Sequence, residues 1–304
     1  MRNICLKRKC LLFWFCFLIV SCIYADYFEP SANVPGEFGV NTGYLKGLFR
    51  PEGKSIGFVP LQMISPEIEL AKKDLPGLLN FYRVFKTNYR FGDSMRSVPS
   101  KAEKIDSKTV KVFWDSDSGH PFTITAIYRW IDFQTLDLHI TVQAKELLPD
   151  FEIFLSSYLS ERFPESFVYA KSDKGENIFI SAPPSEGVWQ AFPRDEKAVQ
   201  LIQDGRWKFH PSPVDWAIRP CFSKPIIYRV DKETRITVVH MAKTEDCFAV
   251  MTPNVGEGHL SMYFSLFGKT LQAEESASTV VRMIIAPLTE RQILEAYQKF
   301  INPK

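Results

Sequence analysis

At 304 residues, with 45% hydrophobic and 24% charged side chains, the chain has the make-up of a globular protein, which excludes the disordered and low-complexity classes. Lys+Arg total 37 against Asp+Glu 35; residues 1–25 hold four of the bases and no acid, so the remainder carries 33 bases against 35 acids. A near-neutral body offers no general attraction to nucleic acid, and no nucleic-acid partner is expected.

Arg2, Lys7, Arg8 and Lys9 precede an unbroken apolar run from Leu11 to Val20, and Ser21, Cys22 and Ala25 follow as small residues. A basic start, a short apolar middle and a small-residue end make a secretory signal peptide of residues 1–25, too short in its apolar part to span a bilayer. The expected body, 26–304, is then one domain outside the cytoplasm: periplasmic, in the cell envelope or secreted. Cleavage after Ala25 gives a soluble chain beginning at Asp26. Ile19-Val20-Ser21-Cys22 also resembles the lipobox of bacterial lipoproteins, so the one membrane contact expected is a lipid anchor at Cys22. Only Cys221 and Cys247 remain in the body. Such a pair in an exported protein fits a disulfide, and it fits two buried thiols equally well.

From Asp26 to Arg50 the chain is rich in Gly, Pro and Asn and reads as an extended leading arm. Tyr82 to Arg90 then alternates as one strand, with Tyr82, Lys86, Asn88 and Arg90 on one face and Arg83, Phe85 and Tyr89 on the other. Arg83, Asn88 and Arg90 among aromatics suit sugar hydroxyls or a uronate carboxylate through forked donors and amides, and a solvated strand face explains them as well. Phe122–Trp130 and Leu136–Val142 alternate around Asp132-Phe133-Gln134 and predict a hairpin. Further strands are predicted at Val110–Trp114, Phe151–Tyr158, Ser166–Ala170, Ile226–Val230, Arg235–Met241, Phe248–Thr252, Leu260–Phe267 and Thr279–Ile285. Helices are predicted at Arg194–Gln203 and after Thr289, whose Gln292 three residues on completes a capping box.

Trp189, Trp207 and Trp216 fall in proline-rich, loop-like sequence together with Arg206, His210 and Asp215. Tryptophans there can stack sugar rings, with polar groups at the rim, or can close the ends of a sandwich. Glu257 and His259 stand at i and i+2, an acid–base spacing without further ligands for a metal; no metal and no cofactor are expected. His120, His139 and His240 are isolated and read as structural. Nucleophile-elbow, zincin, P-loop and dinucleotide motifs are missing from the sequence.

Residues 122–163 and 248–285 resemble the galactose mutarotase-like (aldose 1-epimerase) superfamily. The resemblance runs through Tyr128, the strand Leu136–Val142, Pro149, Leu155-Ser156-Ser157-Tyr158-Leu159 and Leu271-Gln272-Ala273-Glu274-Glu275. Tyr82-Arg83-Val84-Phe85 and Tyr263-Phe264-Ser265-Leu266-Phe267-Gly268 extend it to a divergent group of exported bacterial proteins. It implies an all-β fold, a large antiparallel β-supersandwich with few short helices and a C-terminal helix, binding carbohydrate in a cleft on one sheet. It also implies a histidine acid and a glutamate base for mutarotation. Here Ser156 stands at the acid's place, and a hydroxyl cannot shuttle protons near neutral pH as imidazole can. The expectation is therefore an exported carbohydrate-binding protein without standard mutarotase activity. The alternatives are a sugar-ring enzyme (a divergent epimerase or a polysaccharide lyase) and a structural envelope protein.

Overall fold

The computed structural model describes residues 26–53, 56–254 and 259–303. The expected signal peptide with Cys22, and the pair Glu257-Gly258, lie outside the described residues.

Three sheets build the molecule. The first is five-stranded and formed in chain order by Phe28–Pro30, Phe38–Asn41, Leu45–Arg50, Gly57–Met63 and Ile68–Ala71. The expected leading arm is thus a correction: its turn residues separate three short strands instead of leaving an unpaired extension. Apolar side chains alternate along them, and Phe28, Phe49 and Phe58 pack on Tyr128 and Trp130 of the neighbouring sheet, with ring centroids 4.5–6.5 Å apart. Burying those rings is what holds the strands in place.

The nine-stranded sheet runs Asn177–Ser181, Glu165–Lys171, Phe222–Val230, Thr237–Ala242, Ser276–Ala286, Thr135–Ala144, Phe122–Trp130, Thr109–Trp114 and Lys101–Asp106. The predicted hairpin is present in full register, Phe122 opposite Ala144 and Trp130 opposite Leu136. The seven-stranded sheet runs Ala217–Ile218, Trp189–Pro193, Cys247–Pro253, Leu260–Leu271, Leu148–Leu159, Asn80–Lys86 and Tyr89–Arg90. Nearly every pairing is antiparallel; Trp189–Pro193 with Ala217–Ile218 is the parallel exception among the described strands. One apolar core draws side chains from all three sheets.

Two helices complete the described chain. Glu196–Gln203 begins two residues later than its pattern predicts because the Asp195 carboxylate caps it, accepting from the Ala198 amide at 2.9 Å. Glu290–Ile301 carries the predicted capping box of Thr289 and Gln292, and it buries Ile293, Tyr297 and Phe300.

The cysteine pair is a second correction. Both thiols are free. Cys221 precedes a strand of the nine-stranded sheet, whereas Cys247 opens a strand of the seven-stranded sheet, fully buried and with its Sγ donating to the Ala249 carbonyl. Burial pushes the Cys247 thiol far up, so it stays protonated and inert.

Candidate functional site

The seven-stranded sheet carries the most chemically furnished cavity. The strands Asn80–Lys86, Leu148–Leu159 and Leu260–Leu271 lie side by side, and alternation along the last two turns Phe154, Tyr158 and Tyr263 to one face. Between Phe154 and Leu155 the pairing jumps from Arg83 to Phe81, a β-bulge that inserts Tyr82 as an extra residue. A bulge breaks the strict in–out alternation, so the neighbours Tyr82 and Arg83 both line the cavity. The chain from Trp207 to Trp216 folds over this face, and Trp189 closes one side. The cavity, about 300 Å³, is walled by Tyr82, Arg83, Phe154, Tyr158, Trp189, Trp207, Ser212, Pro213, Val214, Trp216, His259 and Tyr263. That is the small end of ligand-sized cavities, roughly 300–1,000 Å³.

The wall is an aromatic stack. Trp216 stands edge-on to Trp189 at 5.5 Å and to Trp207 at 5.2 Å; Phe154 contacts Trp207 and lies nearly parallel to Tyr263, each at 4.7 Å. One cavity lined by Glu29, Lys46 and Gln62 and another lined by Asp137, His139, Lys243 and Arg282 have no tryptophan in their walls, while a smaller one shares Trp207, Val214 and Trp216 from the outer side of the same loop.

Polar groups are concentrated on few residues. Arg83, 3% exposed, donates through Nη2 to the Ser212 carbonyl at 2.9 Å and to the Tyr82 hydroxyl at 3.2 Å, while its Nε is buried without a partner. The indole nitrogens of Trp207 and Trp216 are likewise buried and unpartnered. Arg96 packs on the Tyr82 and Tyr158 rings, 4.2 and 5.5 Å from their centroids, and donates to Asn80 Oδ1 at 3.2 Å. The His259 Nδ1 lies 3.2 Å from Ser261 Oγ, which donates to the Tyr263 hydroxyl at 2.6 Å; Tyr263 is in turn hydrogen-bonded to Tyr158. Burial lowers the His259 pKa, with the Arg229 and Arg96 charges adding to it, so the ring is neutral at neutral pH. Burial raises both tyrosines, which stay protonated.

A buried polar frame fixes the wall. Glu152 and Arg206, both fully buried, form an ion pair at 2.9 Å, with Ser265 donating to the carboxylate and Asp204 accepting from the guanidinium; this anchors the turn bearing Trp207 to the sheet floor. Arg229 reaches from the nine-stranded sheet into the seven-stranded one. Its donors end on the carbonyls of Phe163, Pro164, Pro253 and Ser261 and on the Thr252 hydroxyl. Burial without a carboxylate brings Arg229 down to about 9, still cationic at neutral pH.

Of the residues expected from the sequence, Arg83, Trp189, Trp207 and Trp216 converge on this cavity. Asn88, Arg90, His210 and Asp215 do not line it. Residues 82–90 form a hairpin and not one strand: Asn88 sits in the turn at φ +45°, and Arg90 folds back to pair with Phe85. The Asn88 side chain lies against Gly205, where a Cβ would come within 2.6 Å of its Oδ1, and the φ of +102° there itself favours glycine. The buried Arg90 guanidinium donates to the carbonyls of Phe209, His210 and Pro211 and so holds the overlying loop from behind. The His210 side chain is exposed, and Asp215 pairs at the surface with Lys208. Ser156 lies on the same strand face, between Phe154 and Tyr158, but it donates to Asn80 Oδ1 at 2.9 Å, is 1% exposed and does not line the cavity.

Sequence reasoning missed Tyr158, Tyr263 and Arg96 as wall and support residues, and it weighed His259 both beside Glu257 and, like His210, as an imidazole reaching the cleft from another strand. Tyr158 and Tyr263 read as strand residues among many, and nothing in a linear pattern pairs them across adjacent strands. His120, His139 and His240 stand apart from the cavity. Among the described residues no cluster of three or more His, Cys, Asp or Glu is placed to hold a metal.

No family model and no curated protein sequence matches the chain. Solved structures do. The Slr1438 protein from Synechocystis is 10% identical, with 84% of this chain and 97% of that one covered at a TM-score of 0.54. The α-N-acetylgalactosaminidase NagBb from Bifidobacterium bifidum is also 10% identical at a TM-score of 0.54, with 87% of this chain covering 38% of that much longer one. A galactose mutarotase-like protein from Lactobacillus casei is 8% identical, 82% and 100% covered, at a TM-score of 0.49. At these identities the likeness is one of fold. The chain is an all-β protein that shares its fold with the Slr1438 protein and with part of NagBb, and its aromatic cavity lies on one sheet face.

Proposed function

We propose that the protein is exported and binds a carbohydrate in the cavity between Trp189, Trp207, Trp216 and the Tyr82–Arg83 bulge, without standard mutarotase activity. The observation that carries this reading is the pairing of an aromatic stack with polar donors in the same wall, the Arg83 guanidinium and the Tyr82, Tyr158 and Tyr263 hydroxyls. Sugar rings present apolar faces to aromatics and oxygens to such donors, so one ligand class meets both demands. The fold it shares with NagBb, a protein named for its action on a sugar, is compatible with this.

Titration calorimetry against a broad glycan panel tests it. Saturable binding that falls at least roughly tenfold in Trp189→Ala is expected, because stacking an aromatic contributes on the order of 1 kcal/mol or more. Wild-type protein binding no glycan overturns the reading. Polarimetry on galactose and glucose is expected to give background rates, since Ser156 is closed off on Asn80 and no carboxylate among the described residues stands in the cavity wall. N-terminal sequencing of the folded protein is expected to find Asp26 or acylated Cys22; finding Met1 overturns export.

One arrangement favours a second reading, an acid–base enzyme. With Ser261 donating to Tyr263, a proton on His259 Nδ1 gives a chain running from His259 through Ser261 and Tyr263 to Tyr158. His259 is then the imidazole in the cavity, in a place the mutarotase resemblance does not assign. A robust mutarotation or elimination rate that disappears in His259→Ala would establish this second reading in place of binding alone.

A further inference from the structure

We propose that the cavity selects an acidic saccharide, its anionic group seated against Arg83 and within the field of Arg96, an inference that rests on the carbohydrate reading of the site. The argument is one of charge and of hydrogen-bond sense. Arg83 and Arg96 both stack on the Tyr82 ring, their guanidinium carbons 4.7 and 4.2 Å from its centroid. Neither forms an ion pair with a carboxylate among the described residues, whereas Arg90 and Arg206 nearby each do. Two like charges on one ring repel, and an anion in the adjoining cavity relieves that repulsion.

Among the described residues the wall contains neither a carboxylate nor a side-chain amide. Its side-chain acceptors are uncharged, on the tyrosine hydroxyls, Ser212 and the His259 ring. Here the unsatisfied capacity is on the donor side. Arg83 Nε is buried and unpartnered on a residue 3% exposed, and the Trp207 and Trp216 indole nitrogens repeat the pattern. A charged acceptor oxygen in the cavity answers the Arg83 guanidinium, and a planar guanidinium fork is matched best by a carboxylate. A sulfate ester presents the same charge on a tetrahedral group.

The test is titration calorimetry of the processed full-length protein with an oligogalacturonate, its methyl ester, the corresponding neutral galactan oligomer and a sulfated galactan oligomer, each at low and high salt. An anionic probe is expected to bind at least roughly tenfold more tightly than the ester and the neutral oligomer, consistent with a charge-assisted bond. The carboxylate and sulfate arms tell which anion is taken. Arg83→Gln is expected to abolish the preference while leaving weak binding of the ester. Because Arg83 also holds the Ser212 carbonyl, Arg96→Gln provides an independent loss of preference with that contact intact. Equal binding of acid, ester and neutral oligomers overturns the acidic selection and leaves the carbohydrate reading standing. Failure of every probe to bind overturns the acidic selection, and the broad glycan panel then decides the carbohydrate reading.

Discussion

At the scale of single residues, the cavity depends on buried polar groups whose partners are fixed. Glu152→Gln takes one charged acceptor from a fully buried Arg206 and leaves Asp204 as its remaining carboxylate. Breaking such a pair costs about 3–5 kcal/mol, so urea denaturation is expected to show a loss of about that size, with little change in the slope. His240 gives the pH counterpart. It is buried, its Nε2 has no partner, and burial pushes its pKa from 6.5 down to about 3. Between those values the unfolded chain takes up a proton that the folded chain refuses, so stability falls as pH drops from 6.5 toward 3. At about two units below 6.5 this group alone removes about 2–3 kcal/mol. His240→Leu is expected to remove that part of the acid sensitivity, read from denaturation midpoints at neutral and acid pH. Legibility at this scale was uneven. The tryptophans and Arg83 stood out because bulky aromatics and a cation in turn-rich sequence need a reason. Arg90 stood out for the same chemistry and proved to be a loop clamp, since a guanidinium satisfies carbonyls as readily as ligands.

At the scale of elements, alternation located most strands, and their ends differ by a few residues where a bulge or cap intervenes. The Phe122–Trp130 and Thr135–Ala144 hairpin was legible because both faces keep strict period two. The 82–90 segment was not: a turn at Thr87-Asn88 and a bulge at Tyr82 both break the period, and neither carries a glycine to announce it. That hairpin has a mechanical role. Arg90, from its second strand, ties the Phe209–Pro211 carbonyls, and the same loop supplies Ser212, Pro213 and Trp216 to the cavity. Arg90→Ala is expected to make the 208–213 segment the first site of limited proteolysis and to weaken glycan binding, while the far-UV circular dichroism of the sheets is retained. Unchanged proteolysis would show that the loop holds itself.

At the scale of the whole molecule, the sequence carried the fold class and the cleft-bearing sheet, since both rest on strand patterning. It did not carry the five-stranded sheet, whose short strands sit among turn residues and acquire their order only by covering Tyr128 and Trp130. Because one apolar core joins all three sheets, thermal unfolding is expected to be a single cooperative transition, with calorimetric and van't Hoff enthalpies in agreement. The free thiols make a further expectation: a reducing agent leaves the melting temperature unchanged. A drop on reduction would reveal a covalent link between Cys221 and Cys247.

The unpartnered donors around the cavity make the empty protein the under-satisfied form of itself. The Arg83 Nε and two indole nitrogens are buried without a partner among the described residues. Occupancy therefore feeds directly into heat resistance: a ligand at a hundred times its dissociation constant stabilises the folded chain by about 2.7 kcal/mol through mass action alone. The molecule is thus its own ligand detector, because a dye-based melting screen over saccharides ranks candidates by the shift they produce, and the same shift is expected to vanish in Trp189→Ala.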